Sequence, residues 1–264
     1  MPLCRNYLST LNHFARMFGL DVRGLRQGLA KSPRFLREFV RYRQMTSQQG
    51  RLGRPLLRES FPIVSEYTDS AGVAEGDYFH ADLWAARKVF AANPNHHVDV
   101  GSRVDGFVAH LLTFRHVKVV DLRPLDSKVD GLSFVRDDAT ELRSFPDGSI
   151  PSLSSLHAVE HFGLGRYGDP LQPDGYLRGM HSLQRVLAPG GHLYFAVPSG
   201  RAHIRFNADR VIDPQEVLDT FSQLQLVELS AVLEDGQLHQ DVELADIYGS
   251  RSACGLYHFV RPAV

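Results

Sequence analysis

The fold of this 264-residue chain is decided by the stretch HHVDVGSRVDGF, residues 96–107. Val98 and Val100 flank Asp99 in a short apolar run that stops at Gly101, as a buried parallel strand does at its carboxyl end. Apolar residues then recur at helical spacing, at Val104, Phe107, Val108, Leu111 and Leu112. A strand, a glycine turn and a helix start bring backbone N–H groups to the edge of an α/β sheet. The stretch therefore predicts a ligand site at that edge.

Three ligand classes use this geometry, and the spacing of the glycines separates them. A phosphate-binding P-loop needs Lys and then Ser or Thr after its second glycine, but Phe107 and Val108 follow Gly106. A dinucleotide site needs G-x-G-x-x-G, and Arg103 interrupts that pattern. The third class has an acidic residue two positions before a glycine-rich turn, and Asp99 fits it. An ordinary strand, turn and helix without a ligand remains the alternative.

Further strands and helices alternate along the chain. Residues 117–120 form a second strand that ends at Asp121, 22 residues after Asp99, the spacing at which a carboxylate can accept both ribose hydroxyls of an adenosine. The other predicted strands are residues 132–135, 153–156, 192–197, 226–233 and 256–260. The predicted helices are residues 83–90 with Asp82 as N-cap, residues 177–187, and a helix capped by Asp213. The alternation predicts a doubly wound, mainly parallel, seven-stranded α/β sheet.

Charge divides the chain into two domains. Residues 1–60 contain 12 Lys and Arg against 3 Asp and Glu, a net charge of +9, and since the whole chain carries −1 the remainder carries −10. We predict a basic helical N-terminal extension over residues 1–60, with a polar linker at residues 44–54, and an α/β domain over residues 61–264. Because the half that holds the predicted site is acidic, no nucleic-acid partner is expected.

Composition limits the compartment and the partners. No apolar run approaches the roughly 20 residues of a membrane span, and no secretory signal is recognised, so a cytoplasmic protein is expected. Cys4 and Cys254 have neither disulfide-framework nor zinc-site spacing. In the extension, Arg34, Arg37 and Arg41 share one helix face. Residues 1–45 could contact the inner face of a membrane peripherally, or dock on the acidic half of the same chain or across a homo-oligomer.

Over residues 80–261 the chain resembles class I S-adenosylmethionine-dependent methyltransferases. The residues that carry the resemblance are Asp99–Gly101, Asp121, Asp138–Ala139, the FPDGS stretch at 145–149, Glu160–His161 and, most specifically, RVLAPGG at 185–191. Residues 99–107, 160–170 and 206–208 further resemble the family catalogued as domain of unknown function 268. That family is methyltransferase-like, often occurs among surface-polysaccharide enzymes, and shares the departure at Arg103.

The resemblance implies a Rossmann-like methyltransferase fold, S-adenosylmethionine as cofactor, and O-methylation of a sugar or surface-polysaccharide intermediate. The implied cofactor residues are Asp99, Gly101, Ser102, Arg103, Gly106, Asp121, Leu122, Asp138 and Ala139. Arg103 and Asp105 replace glycines of the usual pattern. The alternative is therefore a non-catalytic binding or scaffold protein of glycan biosynthesis, in which Arg103 and Asp105 close the cofactor cleft. A nicotinamide enzyme is a weaker option, because the glycine fingerprint is missing.

Transfer to a hydroxyl needs a general base. His161 is the first candidate and Asp169 the second, with Glu160 or Tyr167 to orient the base. A buried, structural role is the alternative for His161. The candidate acceptor-binding residues are Arg166, His203, Arg205, Asn207 and Arg210.

Residues 157–161 also spell H-x-x-E-H, a zinc motif that requires a helix. Because a strand-like run precedes this motif and glycines follow it, no metal is expected.

Overall fold

A computed structural model describes residues 15–46, 54–68 and 72–263. The chain divides into two compact units, Met1–Val73 and Ala74–Val264. Residues 61–73, which the sequence analysis assigned to the α/β domain, thus fall in the first unit. Of the predicted linker at residues 44–54, residues 47–53 lie outside the described part of the chain.

In its described residues the first unit has one long helix, which lies within the extension predicted to be helical. This helix, α1, spans Val22–Met45. The Asp21 carboxylate caps its amino end by accepting a 3.0 Å hydrogen bond from the Gly24 N–H. Two short 3-10 turns follow at Leu57–Glu59 and Ser65–Thr68. No described helix is long and apolar enough to cross a membrane.

The second unit opens with helix α2, Asp77–Ala92, which begins six residues before the predicted start. The prediction that Asp82 caps this helix is wrong: Gly76 is the N-cap, and Asp82 is buried within the helix. The helix extends upstream because Ala81 and Ala85, four residues apart, both lie on its core-facing side. Helix α2 ends at Asn93, in the left-handed conformation.

The sheet of the second unit confirms the predicted fold class. Its strands are β1 His97–Val100, β2 Val117–Asp121, β3 Leu132–Arg136, β4 Ile150–Leu156, β5 Leu187–Ser199, β8 Gln225–Val232, β9 Leu238–His239 and β10 Ala253–Val260. They lie side by side in the order β3-β2-β1-β4-β5-β10-β8-β9. Strands β1 to β5 pair in parallel, and β10 is antiparallel to both β5 and β8. The two-residue edge strand β9 adds an eighth strand to the seven predicted.

Short helices and one hairpin connect these strands. The helical segment after β1 begins as a π-helical turn, Val104–Val108, and continues as α3, Ala109–Leu112. The later helices are α4 Gly175–Val186, α5 Pro214–Thr220 and α6 Leu244–Gly249. Asp213 caps α5 as predicted, accepting from the Gln215 N–H at 2.9 Å. Strands β6 His203–Arg205 and β7 Asp209–Val211 form a separate antiparallel hairpin.

Two hydrophobic clusters cover the two faces of the sheet. Along β5, Phe195 belongs to one cluster, whereas its neighbours Tyr194 and Ala196 belong to the other. Successive side chains of a strand point to opposite faces, so the sheet is covered on both sides. With both faces packed, the carboxyl edge of the parallel strands is left for a ligand site.

Candidate active site

A cavity with about 690 Å³ of empty space opens at the carboxyl edge of the parallel strands. It lies where β1 neighbours β4, the position at which the strand order reverses. Open α/β sheets bind ligands at such a switch point. The lining residues are Gly101, Val120–Arg123, Asp138–Thr140, His157, Ala158, His161–Gly163, Tyr167, Asp169, Pro170 and Gln172.

Asp99 is fully buried below this cavity and does not line it. Its carboxylate accepts hydrogen bonds from the Ser102 N–H at 3.1 Å, the Ser102 hydroxyl at 2.6 Å and the Ser154 hydroxyl at 2.5 Å. Burial raises the pKa of Asp99 to about 6, although these hydrogen bonds oppose the rise. Asp99 and Ser102 therefore fix the turn from beneath, and Gly101 is the residue of the turn that faces the cavity.

A buried histidine that the sequence analysis overlooked extends this network. His97 Nε2 lies 2.8 Å from the Ser154 hydroxyl and its Nδ1 lies 2.8 Å from the Ser152 hydroxyl. Because Ser154 donates its one hydrogen to Asp99, it must accept from His97 Nε2–H. His97 Nδ1 then accepts from Ser152. Burial lowers the pKa of His97 to about 3, so the ring is neutral.

The residues that depart from the methyltransferase pattern do not block the cavity. Arg103 and Asp105 are exposed, form an ion pair at 3.0 Å, and are absent from the lining. Arg103 has φ −69, a conformation open to any residue, so its backbone is unstrained there. Gly106 serves packing instead, because a Cβ added to it would lie 2.5 Å from Asp82 Oδ2. The cleft closure suggested for Arg103 and Asp105 is not what the structure contains.

Two acidic residues face the cavity from neighbouring strands. Asp121 ends β2 and accepts hydrogen bonds from Arg123, from the backbone N–H at 2.8 Å, from Nε at 3.0 Å and from Nη2 at 2.7 Å. The sequence analysis did not identify Arg123. Asp138 accepts from the Thr140 N–H at 2.9 Å and hydroxyl at 2.8 Å. Leu122 and Ala139 complete this side of the lining.

His161 lines the opposite side, in the 3-10 turn Val159–His161. Its Nδ1 lies 2.7 Å from the Ala208 carbonyl oxygen, which can only accept, so Nδ1 carries the hydrogen. Burial is the main cause that lowers the pKa of His161, and the imidazole is neutral near pH 7. Its Nε2 is therefore an unprotonated acceptor. This nitrogen could take a proton from a hydroxyl bound in the cavity.

Glu160 lies buried between two histidines. Its Oε1 is 3.7 Å from His161 Nε2 and 3.8 Å from His157 Nδ1, while its Oε2 has no hydrogen-bond partner. Burial raises the pKa of Glu160 to about 8 and lowers that of His157 to about 4. The H-x-x-E-H residues do not form a helix, and the described ranges contain no group of three His, Cys, Asp or Glu side chains placed to hold a metal ion.

The loop after this turn is held by Asp169. The Asp169 carboxylate accepts from the Gly163 N–H at 2.7 Å and the Tyr167 N–H at 3.1 Å, so its oxygens are used within the loop. The Tyr167 ring lies edge-on to His161, with centroids 5.6 Å apart, and Arg123 Cζ is 4.2 Å from its centroid. Arg166 Nη1 donates to the Ala208 carbonyl at 2.9 Å.

No residue of the β6–β7 hairpin lines the cavity, although its turn contacts the lining residue His161 through the Ala208 carbonyl. His203 contacts the Arg201 carbonyl, Arg205 pairs with Asp209 at 2.6 Å, and Asn207 has φ +63 in the turn. Arg210 is buried and donates to the Phe162 carbonyl at 2.7 Å and to the Glu160 carbonyl at 3.3 Å. Arg210 thus holds the loop that carries His161. None of these four predicted acceptor residues lines the cavity.

Comparison with known families and structures confirms the sequence resemblance. The family described as "Caenorhabditis protein of unknown function, DUF268" matches residues 125–237. No curated protein matches the chain. The fold is shared with solved structures that are 12–14% identical to this chain, and identities this low establish the fold alone.

Three solved structures are similar to this chain. One is provisionally described as a sarcosine dimethylglycine methyltransferase, from Galdieria sulphuraria: TM-score 0.52, 14% identity, 70% of this chain and 86% of that chain. Another is the [4+2]-cyclase SpnF: TM-score 0.51, 12% identity, 69% and 82% coverage. The third is 1,6-didemethyltoxoflavin-N1-methyltransferase of Burkholderia thailandensis, solved with S-adenosylhomocysteine: TM-score 0.49, 16% identity, 69% and 78% coverage.

Proposed function

We propose that this chain is an S-adenosylmethionine-dependent methyltransferase. The observation that carries the proposal is the juxtaposition, in one cavity, of Gly101, two strand-end acids (Asp121 and Asp138) and a neutral histidine, His161. A Cβ added to Gly101 would lie 2.9 Å from Ala158 Cβ, so the turn leaves no room for a larger residue beside the cavity floor. This arrangement suits an adenosine on the acidic side and an acceptor on the histidine side.

The chain's own residues would bind and orient the reactants. Asp121 would accept the ribose hydroxyls, and Asp138 with Ala139 would border the adenine. When bound, the cofactor would supply a methyl group bonded to a sulfonium sulfur, and the sulfur would keep the electron pair of the C–S bond as the methyl group is transferred. His161 Nε2 would accept the proton of the attacking hydroxyl as its oxygen forms the new C–O bond. Alignment of the two reactants in the cavity supplies most of the remaining rate enhancement.

The acceptor we propose is a hydroxyl of a sugar or surface-polysaccharide intermediate. A neutral imidazole suits a hydroxyl, which must lose a proton as it attacks. Arg166 is exposed beside His161 and retains donors beyond the one used on Ala208, so it could bind an acidic or hydroxylated glycan. Tyr167, unlike Arg166, is part of the cavity lining, and its ring is in contact with the guanidinium groups of Arg123 and Arg166.

A non-catalytic binding or scaffold role in glycan biosynthesis is the second candidate. One observation favours it: Arg123 already donates three hydrogen bonds to the Asp121 carboxylate. The fold is also compatible with other chemistry, since SpnF is described as a [4+2]-cyclase. In this alternative the Arg123 pair with Asp121 persists and excludes the ribose.

Calorimetry with S-adenosylmethionine and S-adenosylhomocysteine tests the proposal. We expect both ligands to bind. We also expect S-adenosylhomocysteine to be formed from S-adenosylmethionine when a panel of sugar and nucleotide-sugar acceptors is supplied. Absence of binding by either ligand at millimolar concentration would overturn the methyltransferase proposal. Binding without turnover on any acceptor, together with capture of a glycan, would favour the non-catalytic role.

For the first unit we propose docking on an acidic protein surface, with a second copy of this chain as the candidate. The support is charge: Arg37 and Arg41 project from α1 without any ion pair in the described part of the chain, and residues 61–264 carry −10. Sedimentation velocity of an R37E/R41E variant should show a smaller species than wild type. Salt-sensitive co-sedimentation with anionic vesicles, lost in the variant, would instead indicate peripheral membrane binding.

A further inference from the structure

The residue that follows β4 has a backbone conformation that its type rarely adopts. His157 has φ +53, in the left-handed region. Its side chain is buried and lines the same cavity as Gly101. Strain of this kind persists only where neighbouring groups hold the residue in place, and it is concentrated at functional sites. The groups packed against His157 are therefore of interest.

Two side chains from distant segments form a stack with this histidine, Tyr78 against His157 and Arg103 against Tyr78. The Tyr78 ring, in the first turn of α2, lies 4.3 Å from the His157 ring, centroid to centroid, at an interplanar angle of 37°. Arg103 Cζ lies 5.2 Å from the Tyr78 centroid, a distance at which a cation is attracted to an aromatic ring. We refer to Arg103, Tyr78 and His157 as the stacked column. It joins the turn after β1, the start of α2 and the end of β4.

The column continues into the buried carboxyl group of the site. His157 Nδ1 lies 3.8 Å from Glu160 Oε1, and the same oxygen lies 3.7 Å from His161 Nε2. Glu160 Oε2 has no hydrogen-bond partner, and both histidine rings lie within 4 Å of Oε1. A movement of about 1 Å would bring either histidine into hydrogen-bond distance. The position of His157 thus limits where Glu160 can lie, and Glu160 limits His161.

We propose that Arg103 and Tyr78 are positioning residues that hold His157 and, through Glu160, set the orientation and protonation of His161. The proposal deepens the methyltransferase proposal, on which the proton-accepting role of His161 rests. It gives Arg103 a task at the position where the methyltransferase pattern has glycine. Arg103 acts at a distance in this arrangement, since it does not line the cavity.

The proposal has a consequence for how the histidines titrate. The groups that face His157 are Asp77, Tyr78, Arg103, Glu160, His161 and Cys254. Those that face His161 are Glu160, Arg123, Arg166, Tyr167 and Asp209. Burial and then the charges of His161 and Arg103 lower the pKa of His157, while a backbone hydrogen bond to Asp77 raises it. Removal of Arg103 or of the covering Tyr78 ring should therefore raise it.

NMR titration of ¹³C-labelled histidines in the ligand-free full chain tests the column. Signals are assigned with His157→Gln and His161→Gln. In Arg103→Gln and Tyr78→Leu we expect the His157 midpoint to rise by roughly half a pH unit or more, with a change at His161 as well. Tyr78→Phe, which keeps the ring, and Arg251→Gln, which removes an exposed arginine paired with Glu234, should titrate as wild type.

Wild-type titration of both histidines in folded Arg103→Gln would overturn the proposal, and because Arg103 is exposed this variant is expected to fold. Calorimetry with S-adenosylhomocysteine adds a second readout. Arg103→Gln should bind within about twofold of wild type, whereas a loss of more than about tenfold would make Arg103 a cofactor ligand and also overturn the positioning role. If wild type binds no S-adenosylhomocysteine, the proposed function fails, while the titration still decides the column.

Discussion

Replacement of Asp121 by Ala tests the cofactor site most directly. Two hydrogen bonds from ribose hydroxyls to a carboxylate contribute roughly 2–4 kcal/mol. In the free protein the same carboxylate pairs with Arg123, and this half-exposed pair is worth no more than about 1 kcal/mol. The ribose bonds therefore outweigh the pair. With the pair subtracted, about 1–4 kcal/mol remains, so Asp121→Ala should raise the Kd for S-adenosylhomocysteine by about 5- to 700-fold.

The assay is calorimetry on folded protein, with two companion variants. Arg123→Ala should change the Kd by no more than about fivefold, because it removes only the competing pair. Asp121→Asn keeps the shape of the side chain but not its charge, and should fall between wild type and Asp121→Ala. Equal affinity in wild type and Asp121→Ala would refute the assignment of Asp121 to the ribose. A rise in Kd above tenfold in Arg123→Ala would assign the binding role to Arg123 instead.

Three other outcomes follow from the geometry. His161→Ala should lower turnover by about 10²–10⁴-fold with near-normal cofactor affinity, and unchanged turnover would leave His161 a structural role. Because burial raises the pKa of Glu160 above its unfolded value, its favourable contribution is complete below about pH 4.5 and is lost as the pH rises to about 8. Urea titrations should therefore show that Glu160→Gln gains stability relative to wild type over that range. If the free energies of unfolding of the two proteins changed with pH in the same way, burial would not be raising the pKa of Glu160. Gly101→Ala should destabilise more than Gly190→Ala, since both glycines have positive φ but only Gly101 would contact another atom, as measured by thermal unfolding.

The α/β sheet was predictable because its signals are local. Val98 and Val100 around Asp99 define a buried strand within a few residues, and Gly101, with φ +74, ends it. The capped helix after Asp213 follows from an N-cap, a proline and an acidic residue within four positions. The start of α2 was missed because the local signal was misleading. Gly76, the true N-cap, has no capping side chain, whereas Asp82 is a typical capping residue and therefore looks like the N-cap in the sequence.

The candidate site likewise contains residues that were predictable from local signals and residues that were not. The sequence by itself determined that Gly101, Asp121, Asp138 and His161 would lie at strand ends, because strand ends follow from periodicity, and the parallel order then brings these ends to one edge. Only the tertiary structure decided that the Asp99 carboxylate accepts a hydrogen bond from Ser154, 55 residues away. Asp99 therefore lies beneath the cavity and does not line it.

The tertiary structure also turned predicted acceptor residues into structural ones. Arg210 reads as a surface cation after a strand, yet it is buried against the carbonyl groups of Glu160 and Phe162, which no local pattern marks as its partners. Glu160 similarly reads as an ordinary acid until its enclosure between His157 and His161 is seen. Periodicity reports which face of an element is buried. The carbonyl groups that hold Arg210 lie 48 and 50 residues away in sequence, and their meeting with Arg210 depends on the packing of the whole domain.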